Sequence, residues 1–297
     1  MPPADPVFTA PSSLSEAVAE LAGAQDAIAM GGGTSVALLL KNDLIIPSKI
    51  VWLARVPGLR RITSGPDGEL LIGATVTLRE IAAAPALRHR FPALAHAAAQ
   101  VGNPRVRAVA TVGGALVHAD PRQDLPPAML ALGARLRITG PVGEREIPLD
   151  GFHTGFMETT LAEDELITQV VIPAVPGRRA AYVRFTPGSA DDYPTVSAAA
   201  SLARGDDGRI THAALSLGGV GGTALLAAAA STLVGRLPGP AELDAVAEAA
   251  ADETSPFDDQ RGSARYKKAM AREWSRRVLR ACLEPEGAPL PPGLVAG

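Results

Sequence analysis

Apolar residues near the start of the chain fall into short runs closed by glycine or proline, and the runs alternate between helical and strand spacing. Ser13-x-x-Glu16 forms a capping box that opens a helix through Leu21, closed at Gly23. Ala27 to Met30 reads as a short buried strand running into Gly31-Gly32-Gly33-Thr34-Ser35, after which Val36 to Leu40 has the spacing of a helical turn. Leu44 to Ile46 and Ile50 to Leu53 read as strand pieces around Pro47, completing a strand, glycine loop, short helix, strand arrangement.

Glu69 to Ala74 predicts another strand, and Thr77-x-x-Glu80 caps a further helix. Pro92 suits a first helical turn and leads a helix to about Val101. A second loop region follows, Gly102 to Arg107 and then Ala110-Thr111-Val112-Gly113-Gly114-Ala115. Pro126-Pro127 start a helix to Leu132, while Arg135 to Thr139 and Glu144 to Pro148 pair as a hairpin across Gly140 to Gly143. Leu166 to Ile172 is the last strand before a linker-like stretch, Pro173 to Arg179. Ala181 to Phe185, Thr195 to Ala203 and Arg209 to Leu217 then predict an antiparallel meander turning at Gly205 to Gly208. Helices are expected over Ala224 to Val234, Ala241 to Ala251 and Ser263 to Leu283, with residues 285–297 as a loose tail. In the last helix Tyr266, Met270, Trp274 and Val278 form the expected core stripe. Its Arg265, Lys267, Lys268, Arg272, Arg276, Arg277 and Arg280 form a solvated face, or the surface of a partner subunit.

A chain of 297 residues calls for two or three compact units. The net charge of −3 leaves no basic footprint for nucleic acid or an anionic membrane. Cys282 is the single cysteine, so this chain alone can build neither a disulfide nor a cysteine-ligated iron–sulfur or zinc site. Met1 to Pro6 shows no basic region followed by an apolar run, and no apolar stretch approaches a membrane span; a cytoplasmic, soluble protein is expected. His89, His96, His118, His153 and His212 show no metal-ligand spacing and read as structural or surface residues.

The two glycine loops are where chemistry is expected. Glycines let backbone N–H groups approach an anion, a helix starting after Gly33 adds its positive end, and Thr34, Ser35 and Thr111 offer hydroxyls. A triple glycine alone is as often a tight turn. The dinucleotide pattern G-x-G-x-x-G fails at Val36, and no Gly-Lys-Ser/Thr follows. Two such loops brought together would suit a pyrophosphate.

A run of ordered motifs sharpens this reading. Gly31 to Ser35 with Lys41 comes first, then Asn103-Pro104-x-Val106-Arg107-x-x-Ala110-Thr111-Val112-Gly113-Gly114, then Ala119-Asp120-Pro121-x-x-Asp124-x-Pro126-Pro127. Asp192-Tyr193, Leu217-Gly218-Gly219-Val220 and Asp258-Asp259-x-Arg261-Gly262-Ser263-Ala264-x-Tyr266 continue the series. Together they resemble the FAD-binding medium subunit of molybdenum hydroxylases over nearly the whole chain. The resemblance implies an α+β protein: a two-lobed FAD-binding domain of the vanillyl-alcohol-oxidase type, then an antiparallel sheet packed with helices. The lobes are expected at residues 1–57 and 58–175 and the C-terminal domain at 178–284.

It also implies that Ala29, Met30 and Gly31 to Ser35 (Gly31, Gly32, Gly33, Thr34, Ser35) hold the FAD pyrophosphate. Thr111, Gly113 and Gly114 would bind the same cofactor, Asp124 a ribityl or ribose hydroxyl, and Asp192 and Tyr193 would lie by the isoalloxazine ring. On this reading Gly32→Val or Gly113→Val abolishes FAD binding and spares the fold. The chain departs from the family at Gly31, usually Ala, and at Ala115, commonly Asn, where one hydrogen bond of ~1 kcal/mol is missing. Arg184 stands where a lysine is more usual.

The implied activity is electron transfer: electrons arrive from a small [2Fe–2S] partner subunit and leave to an external acceptor. Substrate hydroxylation takes place on a large molybdopterin subunit, in a dimer of heterotrimers. Two other readings stay open. A free-standing flavin oxidoreductase would need its own substrate cavity and acid–base residue, and the meander with Leu217 to Val220 speaks against it. An FAD-less scaffold of the same complex is conceivable because of Ala115.

Overall fold

Residues 5–189, 192–285 and 289–297 are described by the computed structural model, and three main β-sheets succeed one another along them. The first is built from β1 (Val7–Thr9), α1 (Leu14–Ala22), β2 (Ala27–Met30), α2 (Thr34–Lys41) and β3 (Lys49–Trp52), with parallel strands in the order β1-β3-β2. The α1 cap forms as the Ser13 spacing predicts, Ser13 Oγ accepting from the Glu16 N–H at 3.1 Å. The Glu16 carboxylate reaches one residue further back, to the Ser12 N–H at 2.7 Å. Ala17, Val18 and Leu21 then join Val51 and Leu53 in one apolar cluster. Leu44 to Ile46 is not a strand. After α2 the chain reverses through Asp43 (φ 53°), which leaves Leu44 and Ile46 on the surface at 68% and 62% exposure. Pro47 then delays pairing until Lys49.

The second unit interposes helices between strands that are distant in sequence. It runs through β4 (Ile62–Ser64), β5 (Leu70–Gly73), α3 (Leu78–Ala83), α4 (Pro85–Arg90), α5 (Pro92–Gln100), α6 (Pro104–Val109), α7 (Val112–His118) and α8 (Leu125–Ala131). Then come β6 (Arg135–Gly140), β7 (Gly143–Pro148), the small hairpin β8 (His153–Gly155) and β9 (Glu158–Thr159), and β10 (Leu166–Ile172). The five-stranded sheet is antiparallel, in the order β4-β5-β10-β6-β7. Thr77 and Glu80 make the full capping box of α3. Ile72, Leu78, Ile81, Leu94, Leu116 and Met129 lie fully buried in the core that sheet and helices share.

The third sheet contains β11 (Arg179–Phe185), β12 (Val196–Arg204), β13 (Ile210–Gly218) and β14 (Leu225–Leu226), followed by α9 (Pro240–Asp252) and α10 (Ala264–Leu283). Its alternation explains how it is placed. Ala180, Tyr182 and Ala199 belong to the core of the second unit, while Ala181, Val183, Ala198, Ala200 and Leu202 belong to the core under α10. One face therefore lies on α5 and α8 and the other on α10. Two expectations fail here. Residues 224–234 do not form an α-helix: Leu225 and Leu226 pair with the β13 edge, and Ala228–Leu233 is a 3₁₀ turn capped by the Glu253 carboxylate (2.8 and 2.9 Å). The tail ends in β15 (Leu294–Ala296), which extends the sheet along β11.

The last helix also turns differently from its four-residue stripe. Ala271, Trp274, Val278 and Leu279 are buried, but Tyr266 is 37% exposed. Lys267, placed on the solvated face by its charge, is 2% exposed and lies 2.8 Å from Asp259. Part of the remaining basic row is answered by α9: Lys268 by Asp252, Arg272 by Glu248, Arg280 by Asp244. These pairs are largely exposed, so Asp244→Asn should cost less than about 1 kcal/mol, and less still at high salt. Thermal unfolding at two ionic strengths checks this.

Candidate functional site

The two glycine loops meet. A Cβ on Gly32 would lie 1.7 Å from the carbonyl oxygen of Val109, and one on Gly31 would lie 2.5 Å from Thr111 Oγ1. Gly32 is thus required by backbone lying on backbone and Gly31 by the Thr111 side chain, both of which a β-carbon would displace. Gly33 takes φ +77°, turning the chain directly into α2. The opposite side of this loop is polar and unmet. The helix has no side-chain cap, and Ala37 is its first residue whose N–H meets a carbonyl, that of Gly33 at 2.8 Å. From Gly31 to Val36 the backbone N–H groups meet no acceptor among the described residues. Consecutive amides at a helix start, with the Thr34 and Ser35 hydroxyls beside them, constitute an anion cradle. Ala29 and Met30 lead into it along β2, half-buried, and Trp52 Nε1 fixes its entry by donating to Gly31 O at 3.2 Å.

The second loop contributes differently than its glycines imply. Gly113 is buried and its N–H donates to Ala74 O at 2.9 Å. A Cβ there would lie 2.8 Å from Ala74 Cβ and 3.0 Å from Ala74 O, so Gly113 is a packing glycine of the second core. Gly113→Val would therefore disturb this core and does not spare the fold. Thr111, 6% exposed, caps α7 by accepting from the exposed Gly114 N–H at 3.3 Å. With the Gly114 amide engaged by that cap, the Thr111 hydroxyl proton is what this loop offers to the crevice. The half-buried Ala115 donates its amide to Thr111 O.

Asp124 is not at the crevice surface, which departs from its expected hydroxyl-binding role. It is 3% exposed, takes a 2.6 Å hydrogen bond from Tyr182 OH and faces Arg184 at 3.6 Å. Burial pushes its carboxyl up to about 6 against the pull of Arg184 and Tyr182. Arg184 also donates to the carbonyls of Gln100 and Asp192, so it ties α5 to the loop that carries Tyr193.

Asp192 and Tyr193 border a pocket of about 330 Å³ with Thr186, Gly188, Ser189, Thr195 and Arg261. The Tyr193 hydroxyl faces the Asp120 carboxylate, just beyond α7, and burial followed by that carboxylate makes it hold its proton more tightly than an ordinary phenol. Arg261 holds Asp192 at 2.5 Å and lowers its carboxyl, and its guanidinium stacks 5.6 Å from the Tyr193 ring centre. Asp259 receives Arg122 (3.0 Å), Lys267 (2.8 Å) and the Arg261 N–H (2.8 Å). The motif containing Asp259 and Arg261 was visible in the sequence, but nothing in its spacing revealed that it reaches Tyr193. Among the described residues no group of three His, Cys, Asp or Glu side chains is placed to hold a metal, and no helix is long and apolar enough to cross a membrane. Cys282 is buried and its thiol is pushed up to about 12 by that burial, so it is a packing residue.

Two glycine loops from successive α/β units, packed backbone on backbone with a row of unmet amides at a helix start, define an anion-binding crevice suited to a phosphate-bearing cofactor. Comparison with known proteins names the cofactor. The family described as "FAD binding domain in molybdopterin dehydrogenase" matches residues 5–175, and "CO dehydrogenase flavoprotein C-terminal domain" matches residues 181–282. The chain belongs to the family of FAD-binding medium subunits of molybdenum hydroxylases.

Among its relatives is the carbon monoxide dehydrogenase medium chain of Hydrogenophaga pseudoflava, 32% identical over 92% of this chain and 96% of that one. The nicotine 6-hydroxylase medium subunit of Paenarthrobacter nicotinovorans is also 32% identical, over 92% and 95%. A solved structure of carbon monoxide dehydrogenase from Hydrogenophaga pseudoflava, lacking the Mo-pyranopterin moiety of its molybdenum cofactor, superimposes with a TM-score of 0.89. It is 34% identical and covers 95% of this chain and 99% of that chain. The α+β architecture with its two matched regions is thus that of a flavoprotein subunit of an oxidoreductase.

Proposed function

We propose that this chain clasps FAD between Gly31–Ser35 and Thr111–Gly114 and works as the electron-transfer subunit of a heteromeric molybdenum hydroxylase. The observation that carries the cofactor placement is the unmet row of backbone N–H groups from Gly31 to Val36 beside the Thr111 hydroxyl. These residues fit the group: the amides and the positive end of α2 bind the pyrophosphate, and the Thr34 and Ser35 hydroxyls complete its shell. From Thr111, α7 runs seven residues, about 10 Å, toward Asp120 and its partner Tyr193. That direction supports a ribityl chain laid along α7 with the ring system near Tyr193. Asp124 then acts at one remove, bracing Arg184 and through it the Asp192 carbonyl.

Bound FAD supplies the conversion between one-electron and two-electron transfer. The chain's own residues bind and orient it; its single cysteine leaves the [2Fe–2S] clusters to a small partner subunit. The molybdopterin cofactor and substrate oxidation belong to a large subunit, and a cytoplasmic dimer of such heterotrimers is the assembly we infer. The first test is the visible spectrum of the purified chain, followed by heat release of any flavin. Bands near ~450 nm with released FAD are expected. A colourless protein that takes up no added FAD would refute the reading and favour a scaffold.

A further inference from the structure

We infer that Arg261 is a positioning residue for Tyr193: it holds the tyrosine ring in a fixed orientation at the edge of the cofactor crevice and so sets the surroundings of the flavin ring. This inference rests on the placement of FAD proposed above. Three contacts tie Arg261 to the Tyr193 loop, and a fourth anchors it. The Arg261 guanidinium lies over the Tyr193 ring at 5.6 Å, a cation–π distance, and one of its nitrogens holds the Asp192 carboxylate, the neighbouring residue, at 2.5 Å. Its carbonyl accepts from Thr195 Oγ1 at 3.3 Å, which pins the other flank of the same loop. Its backbone N–H is held by Asp259, which Arg122 and Lys267 anchor in turn.

The arrangement is stiff on the Arg261 side and open on the Tyr193 side. The Arg261 side chain is 12% exposed, Lys267 is buried, and Asp259 and Gly262 close a tight turn. Tyr193 is 45% exposed, so the protein core does not hold its ring. What does hold it is Arg261 on its face and Asp120 at its hydroxyl. Asp120 is itself aimed by Ala119, whose left-handed backbone (φ 50°) is tied through its carbonyl to the Met157 N–H at 3.1 Å. Tyr193 is therefore clamped at both ends by residues that approach from the second unit and from the α10 end of the third. A planar guanidinium can lie over the ring and pair with the carboxylate at the same time; the single point charge of a lysine does both less well.

The test uses the full chain loaded with FAD and reads the fluorescence of the bound flavin, which a tyrosine in contact with the ring quenches. Arg261→Ala should keep its affinity for FAD within about threefold, while bound-flavin fluorescence rises toward that of Tyr193→Phe. The double variant should add nothing to the fluorescence of Tyr193→Phe alone, because both changes remove one effect. Arg261→Lys should fall between wild type and Arg261→Ala, and it serves as the test should the alanine variant not fold. Fluorescence unchanged in Arg261→Ala and Arg261→Lys, or fully additive effects in the double variant, would overturn the inference with FAD still bound. A wild-type chain that binds no FAD would instead overturn the cofactor placement itself.

Discussion

Gly32→Ala is expected to lower FAD affinity by at least ~100-fold while the chain keeps its secondary structure. The added carbon would sit 1.7 Å from Val109 O and 2.5 Å from Val109 C, and both are backbone atoms with no rotamer to escape into. The two loops must move apart, and the amide row from Gly31 to Val36 loses its alignment with Thr111. Overpacking of this kind costs about 1–3 kcal/mol of stability. The cost falls at the junction of two units, each with its own core, so it should appear as a lowered midpoint and not as unfolding.

Two further alanine variants isolate the cause. Gly113→Ala meets Ala74 inside the second core and should lose stability first, with FAD affinity following. Gly222→Ala meets nothing within 4 Å and should be neutral, within about 0.5 kcal/mol. FAD titration and urea unfolding on the same preparations provide the comparison. A Gly32→Ala protein with full flavin occupancy and an unshifted midpoint would remove the loop contact from the argument.

The second large effect belongs to Asp124. Its carboxyl titrates near 6 in the fold against an ordinary 3.8, burial being the main cause. Between those values the folded chain keeps a proton that the unfolded chain has released. Stability therefore falls as pH rises from about 4 to 6 and levels off above, by roughly 3 kcal/mol for a shift of that size. Asp124→Asn keeps the shape and removes the titration, so this part of the pH profile should flatten.

Asp124→Ala acts differently. It deprives Arg184, 5% exposed, of its only ion pair among the described residues and Tyr182 OH of its acceptor. Breaking a buried pair by removing one partner costs about 3–5 kcal/mol at neutral pH. Urea midpoints across pH 4–8 for the three proteins decide both claims. Parallel profiles for wild type and Asp124→Asn would show that Asp124 does not carry the slope, and an Asp124→Ala chain as stable as wild type would show that the pair is not needed.

Local chemistry made much of this protein legible in one dimension. The Ser13 and Thr77 caps form where their spacing puts them, because a cap needs only four consecutive positions. The β6–β7 hairpin and the β11–β12–β13 meander follow from alternation and turn residues, which are likewise local. The order of the motifs was sufficient to point to the FAD-binding medium subunits.

What stayed hidden depends on who meets whom across the fold. Helical propensity in the alanine-rich stretch after Ala224 yielded to the open edge of β13, and the final residues were ordered by the free edge of β11. Charge placed Lys267 in water; Asp259, brought from an adjacent turn, let it be buried. Gly32 and Gly113 look equivalent in sequence, yet one lies on a neighbouring loop and the other inside a core, because steric contact depends on a partner that spacing cannot name. The same holds for Asp124, expected from its motif to bind a hydroxyl and found enclosed against Tyr182 and Arg184, and for Arg261, which only tertiary packing lays over Tyr193. The sequence by itself determined the caps, the alternating strands and the glycine loops, since each rests on neighbours along the chain. Only the tertiary structure decided which of those groups end up desolvated and against which partner, and that determines whether a glycine, a lysine or a carboxylate binds, packs or braces.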